Sequence, residues 1–194
     1  MNYDIKELKK SLIKVLEPKR YEHTIGVAYT AFAMALRFGA DPEKALVAGL
    51  LHDCAKCYDN DKKFELCNKY GVKLTKVEVQ NPFLIHAKLG SVMAKEKYGV
   101  KNKEILSAIK YHTTGKPNMN LLEKIIFSAD YIEPNRKKIL GLDQIREVIF
   151  DDLDMGIYII LENTLKHLNN KEMIIDSKSQ KAYEFYKELI ENRK

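Results

Sequence analysis

The stretch AGLLHDCAK, residues 48–56, carries an apolar helical pattern straight into a histidine and an aspartate, with Lys56 one turn later. A helix that buries Leu50 and Leu51 is committed to the core, so charged side chains at the next two positions need hydrogen bonds, counter-charges or a metal. The chain supplies partners of the right kind. His23, His86 and His112 also fall on or at the ends of separate apolar segments, and Asp130 closes another. Neutral imidazoles and carboxylates together suit iron, manganese or zinc. The plainer alternative is a hydrogen-bonded His-Asp pair at a helix end. Four histidines and two acids on separate helices weigh towards the metal. His167 is the contrast: it lies in a helix with no such setting and reads as a surface residue.

Other reactive groups carry less. Cys54 and Cys57 form a C-x-x-C and Cys67 stands apart. A redox pair would open a helix in a βαβ setting and a zinc knot would need a second ligand pair, and neither is present, so the cysteines read as packing residues of a reducing compartment. The segment Thr113-Thr114-Gly115-Lys116-Pro117, directly after His112, offers hydroxyls, amides and a lysine that could hold phosphate, although a plain helix-ending turn accounts for it equally well. Arg20 lies three residues before His23 and shares its helix face.

The elements that must position these groups are helical. Apolar spacing predicts helices over 4–16, 20–38, 42–52, 64–70, 84–98, 103–112, 120–132, 153–168 and 177–192, while 72–82 has no assignment. Asp41-Pro42-Glu43 is a strong helix start, and Asn120 with Glu123 is a capping box. No segment alternates convincingly as a strand. The expected fold is all-α, a bundle of about eight or nine helices. The 194 residues fit one domain, with a motif-bearing core over about 18–150 and the helices of 151–194 packed on it. A net charge of +6 and a pI near 9.0 favour an anionic partner such as a nucleotide or polyphosphate, but the lysines are scattered, which argues against a nucleic-acid groove. The charged start MNYDIKELKK and the lack of any membrane-length apolar run point to a cytoplasmic protein.

The order His23, His52-Asp53, Asp130 resembles the HD-domain metal-dependent phosphohydrolases, and the interposed His86 and His112 resemble the branch with a two-metal centre. The blocks RYEHTIGVA, AGLLHDCAK, LIHAKLG, AIKYHTTG and FSADYIEPNR are similar to the YqeK-type symmetrical bis(5'-nucleosyl)-tetraphosphatases, which split diadenosine tetraphosphate into two ADP. The blocks lie within residues 20–136, and only Cys54 and Ser128 depart mildly from the pattern, away from the proposed chemistry. The resemblance implies one metal on His23, His52, Asp53 and Asp130, a second on His86 and His112, and Asp53 bridging. It implies iron, with manganese or another divalent metal as the alternative, and His52, Asp53 and Asp130 at the catalytic step. It places the dinucleotide against His23, His86, His112 and Asp130; Arg20, Lys56, Thr113 and Arg136 are the candidate phosphate contacts, with a surface or structural ion pair as the alternative for Lys56 and Arg136. A homodimer is compatible with all of this.

Two competing readings keep part of the pattern. One retains the metal site but changes the substrate to a nucleoside monophosphate, a cyclic nucleotide or a guanosine alarmone. The other is a non-catalytic helical module that a metal staples together.

Overall fold

The computed structural model describes residues 3–136, 139 and 141–193. Among them the regular structure is entirely helical: α1 Ile5–Ile13, α2 Pro18–Phe38, α3 Pro42–Leu51, α4 Asn60–Lys69, α5 Lys76–Gln80, a 3-10 turn Pro82–Leu84, α6 Ile85–Glu96, α7 Lys103–Tyr111, α8 Leu121–Ile132, α9 Leu142–Ile149, α10 Leu153–Asn170 and α11 Ser177–Glu191. No described helix is long and apolar enough to cross a membrane. The all-α expectation holds, but the described residues form eleven α-helices, two more than the nine that spacing predicts.

The two additions have local causes. In α5 a five-residue helix is held by a capping box between Thr75 and Glu78, and its sequence LTKVEVQ mimics strand alternation. In α9 the apolar residues Leu142, Ile145 and Ile149 recur at helical spacing, but over only eight residues. The helix expected over 20–38 begins two residues earlier, with Pro18 at its first position, where its missing N–H is no loss. The helix expected over 64–70 starts a turn earlier, because Asp59 accepts from the Lys62 N–H as N-cap. Asp41 caps α3 as the sequence predicts, accepting from the amides of Glu43 and Lys44 at 3.0 Å each. Such a cap contributes about 1 kcal/mol.

α2 and α3 pack tightly, and one glycine decides how tightly. A Cβ on Gly49 would lie 2.6 Å from the Ala28 Cα, so only glycine permits this approach. The contact brings His23 on α2 next to His52 at the end of α3. Around this pair α7 and α8 pack against α3, α6 packs against α7, and α10 joins α8 and α9 to α11. One apolar core runs through all of them, from Leu12 and Ala28 through Leu50, Ile109 and Ile126 to Ile157, Ile160 and Tyr186. Tyr186 of α11 is fully buried, and its hydroxyl accepts the Met119 N–H at 3.2 Å.

Candidate metal centre

Each of the four histidines has its ring fixed through Nδ1. His52 directly follows α3 and His112 directly follows α7, and the Nδ1–H groups donate to the carbonyls of Gly49 at 2.6 Å and Ile109 at 2.7 Å. These carbonyls belong to last helical turns, whose acceptors lack a full set of intrahelical partners. His86, the second residue of α6, donates in the same i to i−3 pattern to the Phe83 carbonyl. His23, inside α2, has its Nδ1 3.0 Å from the Glu133 Oε1. A carbonyl oxygen can only accept, so in His52, His86 and His112 the proton sits on Nδ1 and Nε2 keeps its lone pair. This is the orientation and tautomer that metal-binding histidines take.

The Nε2 atoms converge on Asp53, whose two oxygens face different partners. Oδ2 lies 3.5 Å from His52 Nε2 and 3.9 Å from His23 Nε2, and it accepts from Arg20 Nη1 at 3.0 Å. Oδ1 lies 3.2 Å from His86 Nε2, 3.5 Å from His112 Nε2 and 3.6 Å from Lys56 Nζ. Asp130 joins the first side, its Oδ1 3.0 Å from His23 Nε2, 3.8 Å from His52 Nε2 and 3.6 Å from Arg136 Nη1. Among the described residues the buried atoms His23 Nε2, His52 Nε2 and Asp53 Oδ1 have no hydrogen-bond partner. Buried polar atoms are rarely left so, and three that converge from separate helices fit a shared cation. The Nε2 atoms of His86 and His112 lie 3.2 Å apart, with the Lys56 ammonium 3.2 Å from His86 Nε2 and the Thr113 hydroxyl 3.1 Å from both. Two groups have ligand atoms all within 4.8 Å of one another: His23, His52 and Asp130, and His52, Asp53 and His112. His86 lies outside both groups and joins through Asp53 and His112.

The electrostatics fit the donor set. Burial raises the Asp53 pKa, but the imidazoles of His52, His112 and His86 that face its oxygens outweigh it and hold the carboxyl well below its usual range. Asp130 is also held low, burial being overcome chiefly by His23. Burial lowers His86 to about 4, which keeps it neutral and able to bind metal at ordinary pH. His23 goes the other way: burial lowers it, yet Asp130 and Glu133 leave it raised. Lys56 is lowered, chiefly by burial.

The structure brings every site residue that the sequence points to into one cluster. His52, Asp53, His86 and His112 are buried, whereas Asp130 keeps 23% of its side chain exposed and Arg20 and Arg136 more, so the open edge lies on their side. Thr113 Oγ1 sits 3.1 Å from both His86 Nε2 and His112 Nε2. The rest of its loop turns away: Lys116 pairs with buried Glu123 at 3.0 Å. His167 is exposed and remote in sequence from the cluster. The cysteines are free, and burial pushes the Cys54 and Cys67 thiols up, away from reactive thiolates. A groove of about 630 Å3, lined by residues that include Tyr21, Gly26, Tyr29 and Asn135, has none of the cluster's histidines or aspartates in its wall.

Sequence reasoning missed Glu133. It is buried, holds His23 through Oε1, and accepts the Asn135 N–H through Oε2 at 2.7 Å. A Cβ on Gly26 would collide with that second oxygen, so glycine one turn after His23 makes room for the carboxylate. Arg146 of α9 was missed as well. It donates to the carbonyls of Ile132 at 3.0 Å and Glu133 at 2.8 Å, closing the helix end that carries Asp130. The signal for Glu133 was an acid ending an apolar helix just before a proline.

Comparison with known proteins agrees with this geometry. The HD domain family matches residues 20–135. The symmetrical bis(5'-nucleosyl)-tetraphosphatase of Bacillus subtilis (strain 168) is 40% identical over 156 residues, 80% of this chain and 83% of that one. The protein of the same name from Staphylococcus aureus (strain NCTC 8325 / PS 47) is 35% identical over 185 residues, 94% of each chain. The crystal structure of a predicted HD superfamily hydrolase involved in NAD metabolism from Clostridium acetobutylicum superposes with a TM-score of 0.92 at 36% identity, covering 100% of both chains. The chain belongs to the HD-domain family, in the company of its symmetrical bis(5'-nucleosyl)-tetraphosphatases.

Proposed function

We propose that the protein hydrolyses diadenosine tetraphosphate symmetrically to two ADP at a two-metal centre. The observation that carries this reading is Asp53, whose two oxygens face two separate sets of Nε2 atoms, His23 and His52 on one side and His86 and His112 on the other. On this basis His23, His52, Asp130 and Asp53 Oδ2 hold one ion, and His86, His112 and Asp53 Oδ1 hold the second. Iron is the proposed metal, with manganese or another divalent ion able to take its place. Two such ions supply an activated water and offset charge on the attacking and leaving oxygens of a phosphoryl group.

The chain's own residues do the rest. Asp53 and Asp130 stay ionised beneath their burial and fix the charge of the centre. Arg20, Lys56 and Arg136 surround it with positive charge, Arg20 and Arg136 from the exposed edge, and so face the phosphates of an incoming polyphosphate. Thr113 offers its hydroxyl beside His86 and His112. We read residues 1–194 as one domain, active in the cytoplasm, able to pair as a homodimer, and with no role for nucleic acid.

The test is incubation of metal-analysed protein with diadenosine tetraphosphate in oxygen-18 water, followed by separation of the nucleotides. ADP alone is expected, with label in the β-phosphate of one of the two molecules. ATP with AMP as first products, or label in an α-phosphate, overturns the reading.

A further inference from the structure

Phe83 exposes 54% of its surface. A lone exposed apolar side chain needs no explanation by itself, but the surroundings of this one do. It occupies the 3-10 turn Pro82–Leu84, its carbonyl takes the Nδ1–H of His86, and its ring centroid lies 5.3 Å from that of His86 with the planes at 71°. The Lys56 ammonium stands 4.1 Å from the ring centroid, a cation–π contact. The same ammonium lies 3.2 Å from His86 Nε2 and 3.6 Å from Asp53 Oδ1. One cation thus touches both an exposed aromatic ring and the atoms proposed to hold metal.

That juxtaposition matches the two ends of a nucleotide: a base that stacks on aromatic faces, and phosphates drawn to positive charge. We infer that Phe83 is the stacking platform for the purine base of the nucleotide half whose phosphates lie at the metal centre, with Lys56 bridging ring and phosphate. The nature of the ligand rests on the hydrolase reading above. The Phe83 and His86 ring centroids lie 5.3 Å apart, so a base on the first and a phosphate beside the second are within reach of one extended nucleotide. An aromatic face accepts every base, so Phe83 separates nucleotides from inorganic polyphosphate without choosing adenine over guanine.

The test compares wild type, Phe83→Ala and Phe83→Tyr, each loaded with metal and assayed for metal content, by calorimetric titration with ADP and with inorganic pyrophosphate. The Phe83 carbonyl, which orients His86, survives both substitutions, so metal content stays equal. Phe83→Ala should weaken ADP binding roughly 10-fold or more, the range of base–aromatic stacking, and leave pyrophosphate binding unchanged. Phe83→Tyr should restore ADP binding, and the KM for diadenosine tetraphosphate should rise in Phe83→Ala while kcat holds. Equal losses for ADP and pyrophosphate, no loss for ADP, or a fall in molar mass by light scattering that places Phe83 in a subunit contact would each overturn the platform. A wild type that binds ADP through Phe83 but leaves the dinucleotide intact supports the platform and overturns the hydrolase reading. Symmetrical cleavage with no effect of Phe83 does the reverse.

Discussion

Replacing Glu133 by glutamine tests whether the site is built from its outer contacts inward. Among the described residues the Glu133 carboxylate pairs with one site group, His23, at 3.0 Å through Nδ1, and its second oxygen accepts the Asn135 N–H. The side chain is 1% exposed, so no water stands ready to take over. A hydrogen bond to a charged group contributes about 1.5–3 kcal/mol. Glutamine keeps an acceptor but removes the charge that makes the imidazole a stronger ligand. The expected effect is therefore a loss of roughly 10- to 100-fold in metal affinity, the usual range for a group that orients a ligand. It should fall on the ion bound by His23, His52 and Asp130, with the ion at His86 and His112 retained. Titration with a competing chelator, followed by elemental analysis, reads both affinities, and thermal melting of the metal-free protein checks that the bundle is intact. Gly26→Ala should act in the same direction, because its Cβ would displace the same carboxylate. If Glu133→Gln binds both ions with wild-type affinity while His23→Ala loses one, the claim that Glu133 sets the ligand is wrong.

Other expectations follow from the same geometry. His52→Ala and Asp53→Ala should each abolish metal binding and turnover, and exposed His167→Ala should change neither; elemental analysis with a product assay decides. His86→Ala or His112→Ala should reduce metal content towards half while turnover drops, and full occupancy with either residue gone contradicts a second ion there. Glu78 is buried against Lys88 at 2.6 Å; burial raises its pKa, but Lys88 and the Thr75 amide outweigh this and lower it from 4.5. A carboxyl lowered on folding stabilises above its unfolded pKa and loses that contribution as pH falls through its folded one. Glu78→Gln should therefore cost about 1–3 kcal/mol near neutrality, with the gap in Tm narrowing as pH falls below 4.5; a gap independent of pH through the acid range refutes the ion pair's role.

The fold was legible where helices are long and their apolar stripes regular. α2, α3, α7, α8, α10 and α11 each carry enough turns for spacing and caps to speak together, as with Asp41 before α3 and Asn120 with Glu123 at α8. The short helices were not. Five residues make little more than one turn, so α5 shows no period; its Thr75–Glu78 capping box is joined by the tertiary pair of Glu78 with Lys88 on α6. Pro18 falls between two helical patterns, and a proline ends one helix as readily as it opens another; the distinction lies in the backbone that follows.

The site was legible for a different reason. Metal-binding side chains must reach a common point from several helices, and helix ends are where the core is open enough for them to meet. Ends also expose carbonyls, and a histidine placed at one can spend its Nδ1–H there and turn Nε2 to the cation. His52 and His112 both spend Nδ1–H on the carbonyl three residues back, which leaves each Nε2 for the ion we propose, so an apolar helix that ends in histidine is a pattern with a mechanical cause. His23 lies inside α2, where the helix has no free carbonyl to offer, and it needs a partner from elsewhere. That partner is Glu133, 110 residues away, and Gly26 had to lose its side chain to admit it. Nothing in the spacing of a single chain announces such a pair. What does announce it, once seen, is the rule that a buried ring with one nitrogen committed to metal must satisfy the other, so each ligand histidine without a carbonyl three residues back implies an acid still to be found.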